Sequence, residues 1–208
     1  MGGAACPTLD FDPPYDADPA LVALRWPARD ALVFTDHRHT LDAVAGWPRF
    51  RNLFAWDGQT SWYVRGQPLA RAKFCLWFGD SDYDEDGSHY GEPGEAHEAT
   101  NPRGSYRYRP DPRGKHLATV FVAPATRQFA GHPHAKPVDW VRCLLANCTR
   151  GDVFSPFAGS GTGLIAAEQL GRRWVGVELD AGHCDVIVER WQAFTGGRAV
   201  RLPAGAGA

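Results

Sequence analysis

One stretch of this 208-residue chain restricts its fold more than any other: DVFSPFAGSGTGLIAAEQLGRRWVGVELD, residues 152–180. DVFS (152–155) reads as a short buried strand. Phe157-Ala158-Gly159-Ser160-Gly161-Thr162 follows as a loop, and GLIAAEQL (163–170) then sets apolar residues three and four apart, as a helix requires. WVGVE (174–178) is a second strand that ends on Glu178. Strand, glycine loop, helix and strand in that order suit a right-handed crossover in a parallel sheet. Gly159 and Gly161 permit a tight turn and a close approach of backbone to ligand. The helix start behind them presents unpaired N–H groups. An acidic residue seventeen positions after Gly161 is suited to ribose hydroxyls.

The residues narrow the ligand further. A nicotinamide fingerprint needs a small residue at position 164, where this chain has Leu164, and a P-loop needs a lysine that is absent from the loop. What remains is a nucleoside cofactor without pyrophosphate, S-adenosyl-L-methionine. The rest of the chain agrees with an α/β class. Strands are expected at TLDF (8–11), ALVFT (31–35), NLFAW (52–56), KFCLWF (73–78) and RAVRL (198–202), seven in all with the two above. Further helices are expected over 138–148 and 181–194, the second stopped by Gly196-Gly197.

Charge adds a contrast that the net value of −2 conceals. Residues 80–98 carry eight acidic side chains and no Lys or Arg, whereas residues 103–127 carry six basic ones against Asp111 alone. Arg and aromatic residues interleave in SYRYR (105–109), a composition that suits a phosphate backbone and unstacked bases. Residues 80–128 have little periodicity and read as either an inserted functional region or a partly disordered one. No apolar run reaches the ~18 residues of a membrane span. Five cysteines without a C-x-x-C pair read as reduced thiols, so a cytoplasmic location is expected.

A second motif, DPPY (12–15), together with FAGSGT (157–162), VELD (177–180) and HPHAKP (132–137), resembles the DNA amino-methyltransferases that modify adenine N6 or cytosine N4. The order, DPPY first and glycine loop last, is similar to their β class. The resemblance covers nearly the whole chain. It implies a Rossmann-like seven-stranded methyltransferase sheet, circularly permuted so that the catalytic motif precedes the cofactor motif. It also implies one methyltransferase domain over 1–208, with 80–128 as a target-recognition region inside it. By the same resemblance, Lys136 and Pro137 line the methionine end of the cofactor. Phe157, Ala158, Gly159, Ser160, Gly161 and Thr162 cradle it, and Glu178 with Leu179 holds its nucleoside.

The implied chemistry explains the residue types. An exocyclic amine is a poor nucleophile because its lone pair is delocalised into the ring. Asp12 and the Pro13 carbonyl would accept its two N–H groups and favour a pyramidal nitrogen, the proline fixing the carbonyl in place. Asp12 would also stabilise the positive charge that develops. Pro14 completes the stiff corner, and Tyr15 would stack on a base flipped from the duplex. DPPY favours adenine N6 in this family; cytosine N4, RNA, and an inactive DNA-binding relative are the alternatives.

DNA is the implied partner, with no membrane and a homodimer left open. Arg103, Arg107, Arg109, Arg113 and Lys115 are the candidate backbone contacts, with Arg38 and His39 beside the catalytic corner. No metal is expected. His132 and His134 lack partner ligands at suitable spacing, and DYDEDG (82–87) would put Pro93 where a calcium loop needs Glu. Two positions depart from the family's glycine-loop pattern: Ser155 stands where Asp is usual, and Gly163 where Thr is common.

Overall fold

The computed structural model describes residues 6–13, 28–35, 40–62, 70–81, 120–123 and 135–203. Seven strands form one sheet: β1 (Cys6–Phe11), β2 (Ala28–Thr35), β3 (Phe50–Trp62), β4 (Ala70–Gly79), β5 (Val120–Val122), β6 (Val153–Ser155) and β7 (Trp174–Gly176). Among the described residues four helices accompany them: α1 (Thr40–Gly46), α2 (Val138–Cys148), α3 (Thr162–Gln169) and α4 (Ala181–Thr195). The spatial order is β5-β3-β4-β2-β1-β6-β7. β2, β1, β6 and β7 run parallel, and β4 enters antiparallel between β2 and β3.

The central strands are buried on both faces, which is why they read as continuous apolar runs. Odd and even residues of each strand divide between two cores. Leu32, Phe34, Cys75 and Trp77 face α2, where Trp140, Val141, Leu144 and Leu145 cover them. Phe34 meets Trp140 edge-on at 5.5 Å, an arrangement that puts a positive ring edge against a negative face. Leu9, Phe11, Ala31, Val33, Leu76 and Phe78 face the other way, against Ala43 of α1 and Trp47. By the same alternation Thr8 and Asp10 of β1 point toward the α2–α3 side, and both are buried there.

Two expectations change. RAVRL (198–202) forms no ladder. Its Val200 and Leu202 are exposed, and the Ala199 N–H donates instead to the Gln192 side chain at 2.9 Å, which folds the segment back on α4. The seventh strand is β5, which pairs parallel with β3. Residues 120–122 of the expected insert therefore belong to the sheet; its members at 82–119 and 124–128 lie outside the described residues. Among the described residues no helix is long and apolar enough to cross a membrane.

β1 is held to distant chain. Thr8 Oγ1 donates to the Arg150 carbonyl at 2.7 Å, 142 residues on. The Arg172 guanidinium donates to Thr8 Oγ1 and to the Leu145 carbonyl at 2.9 and 2.8 Å. One cation thus joins β1 to the last turn of α2, whose carbonyls have no helical partners.

Candidate active site

The site lies at the carboxyl ends of β7, β6 and β1. The chain runs from β6 to β7 on one side, while β1 flanks β6 on the other, so this is the crevice where open α/β sheets bind ligands. After β6 the chain turns sharply. Gly161 N–H donates to the Ala158 carbonyl at 2.9 Å, with Gly159 at φ 53° and Gly161 at φ 74°. Both are left-handed conformations that favour glycine. α3 starts at once behind Gly161, as the loop pattern required.

Glu178 fastens this loop. One carboxylate oxygen accepts the Gly159 N–H at 2.6 Å, and the other accepts the N–H groups of Leu179 and Asp180 at 3.0 and 3.1 Å. His183 Nδ1 lies 3.8 Å from it. Leu179 is fully exposed at the rim. Asp180 caps α4 by accepting from the His183 N–H at 2.8 Å.

On the other side, Asp12 and the buried Pro13 follow directly from β1. The Lys136 ammonium donates to Asp12 Oδ2 and lies 4.7 Å above the Phe34 ring. Pro137 precedes the first turn of α2 and sets its direction. Thr162 Oγ1 sits 3.5 Å from the Lys136 carbonyl and 3.2 Å from Ser160 Oγ, which ties the glycine loop to the lysine segment. Arg190 of α4 donates to the Ser160 carbonyl from behind.

One cavity collects most of these groups. Asp12, Lys136, Phe157, Ala158, Gly159, Ser160 and Thr162 line it, joined by Asp10, Phe34, Val141 and Gly163. The second set was not anticipated. Asp10 could have been found by alternation, since it stands two residues before Asp12 on an otherwise apolar strand. Pro14, Tyr15, Arg38, His39, Arg103, Arg107, Arg109, Arg113 and Lys115 lie outside the described residues.

Asp10 is the perturbed group of the cavity. Burial, reinforced by the charge of Asp12, pushes its carboxyl up to about 7; Lys136 and the Ser155 hydroxyl oppose the shift. The folded state therefore holds a proton that the unfolded chain has released between pH about 4 and 7. Stability falls as pH rises through that window. Relative to Asp10→Asn, the parent should lose roughly 4 kcal/mol between pH 4 and 8. Urea denaturation across that range checks the sign and size, and a flat difference would contradict it.

With this geometry in hand, likeness to known proteins becomes informative. The DNA methylase family model (N6_N4_Mtase) matches residues 33–189, and the chain belongs to that family. The type II methyltransferase M.BamHI of Bacillus amyloliquefaciens is 35% identical over 96 residues, 42% of this chain and 22% of that protein. M2.DpnII of Streptococcus pneumoniae is 34% identical over 86 residues, 38% of this chain and 32% of that protein. The chain thus spans a third or less of the length of these curated relatives. Among solved structures, the cytosine-N4-specific PvuII DNA methyltransferase gives a TM-score of 0.61 at 12% identity, over 90% of this chain and 79% of that one. The complex of M1.HpyAVI with S-adenosyl-L-methionine gives 0.57 at 16% identity, over 89% of both chains. At such identities the likeness is one of fold.

Proposed function

We propose that the chain is an S-adenosyl-L-methionine-dependent DNA methyltransferase that transfers a methyl group to the exocyclic N6 of adenine. The observation that carries the reading is the meeting, in one cavity, of the Asp12 corner and the glycine loop. The residues present fit the cofactor. Two carboxylates against one lysine suit a cationic ligand, the loop glycines admit close approach of backbone, and Glu178, which accepts the Gly159 N–H, would take the nucleoside. S-adenosyl-L-methionine supplies an electrophilic methyl group on a sulfonium. Asp12 and the Pro13 carbonyl orient the acceptor amine, and Asp12 stabilises the charge that builds on it. Lys136 holds Asp12 in place and yields one of its oxygens to the amine. Cytosine N4 is the second reading, because the same pair of acceptors serves either amine.

The test is mass spectrometry of nucleosides from DNA incubated with the protein and S-adenosyl-L-methionine. Methylated adenine supports the reading, methylated cytosine replaces it with the second, and neither product in DNA removes both. The domain is a single unit over 1–208, and the part of its 80–128 segment outside β5 provides target recognition. Within that segment, Arg107 and Arg109 changed together to Ala should flatten the log–log salt dependence of DNA binding by roughly two. Cofactor affinity should not change. An unaltered slope would take this segment out of the DNA-facing surface.

A further inference from the structure

We propose that Asp10 is a cofactor-binding residue, its carboxylate taking the cationic amino-acid end of the nucleoside cofactor. The assignment rests on the methyltransferase reading and deepens it. The register of β1 on β6, Thr8 to Val153 and Leu9 to Phe154, brings Asp10 beside Ser155 in the next step. The carboxylate then reaches under the start of α3, where a Cβ added to Gly163 would collide with its Oδ2. Gly163 is thus the space that Asp10 occupies, and Ser155 is a small hydroxyl neighbour that leaves room for it. The two positions where this chain departs from the loop pattern, Ser155 and Gly163, are thus both neighbours of the Asp10 carboxylate.

Charge points to a cation. The cavity wall carries Asp10 and Asp12 against Lys136, which already donates to Asp12. Asp10 is 6% exposed, so water does little to solvate its charge. Cys75 of β4, the remaining titratable group coupled to Asp10, is itself held neutral by burial. Strand order fixes which end of a ligand Asp10 meets. Glu178 follows β7 and Asp10 lies on β1, two strand spacings or roughly 10 Å apart, with the glycine loop between. The carboxyl of Asp10, raised to about 7 in the free protein, would ionise against an ammonium, so binding releases a proton near neutrality.

Two ligands separate the role from a structural one. S-adenosylhomocysteine carries the α-ammonium; 5′-methylthioadenosine keeps the nucleoside and lacks the amino-acid end. Asp10→Asn should weaken S-adenosylhomocysteine roughly 10- to 100-fold at pH 8 and leave 5′-methylthioadenosine unchanged. In the parent, calorimetry in buffers of different ionisation enthalpy should show proton release near pH 6.5 with the first ligand and none with the second. Moving the carboxylate back, in Asp10→Ser with Ser155→Asp, should restore most of the affinity. Equal losses for both ligands, or none for either, would overturn the assignment. A parent protein that binds neither compound would overturn the methyltransferase reading itself, and this assignment with it.

Discussion

Asp12→Ala should leave less than about 1% of the methyl-transfer rate while the dissociation constant of S-adenosylhomocysteine stays within about tenfold. The carboxylate stands at the end of β1 and faces the acceptor side of the cavity, partnered by Lys136. Without it the amine keeps its planar, delocalised nitrogen, and nothing offsets the charge that develops as the methyl arrives. Lys136, whose side chain is 6% exposed, would keep its charge beside the acceptor with Asp12 no longer offsetting it, and so would oppose that same charge. Asp12→Asn keeps an acceptor oxygen and should fall between the two. Single-turnover rates with equilibrium dialysis decide it. More than a few per cent of the parent rate in Asp12→Ala would remove Asp12 from the chemistry.

The reverse pattern is expected for Glu178→Ala, which should weaken the cofactor by roughly 1.5–3 kcal/mol. Three N–H groups end on this carboxylate, one of them from Gly159 inside the loop. The substitution removes the proposed ribose acceptor and also the anchor that holds the loop through the Gly159 N–H. Glu178→Gln retains one acceptor oxygen and should recover part of the loss. Calorimetry with S-adenosylhomocysteine measures both variants. An unchanged dissociation constant in Glu178→Ala would exclude it from the site.

What could be read from the sequence was what is encoded locally. The glycine loop was legible because its turn, its helix start and its acidic terminus fall within one run of chain. β2 and β4 were legible because burial on both faces leaves an apolar run. RAVRL misled because alternation describes a strand's two faces and says nothing of whether an edge is there to pair with. β5 escaped because three residues, Val120–Val122, carry too little pattern inside a segment dominated by Gly, Pro and charge. α1 escaped for a similar reason, with Ala43 its one buried side chain. In the site, Lys136 was expected at the cofactor but not as the partner of Asp12, because 124 residues separate them and only the sheet brings them together. Asp10 was overlooked because a motif was read where a strand face should have been.

The clasp between β1 and β6 has a consequence for how the protein is made. β1 leaves the ribosome well before its neighbour β6, whose Val153 pairs with Thr8. At about 5–20 residues per second, that partner follows roughly 10–30 s later. During this interval β1 can join β2 but keeps its other parallel edge open, the kind of edge that recruits foreign strands. No nascent chain that stops short of β6 can bring Asp12 to the glycine loop, so the two walls of the cavity meet only once residues 153–162 have been made.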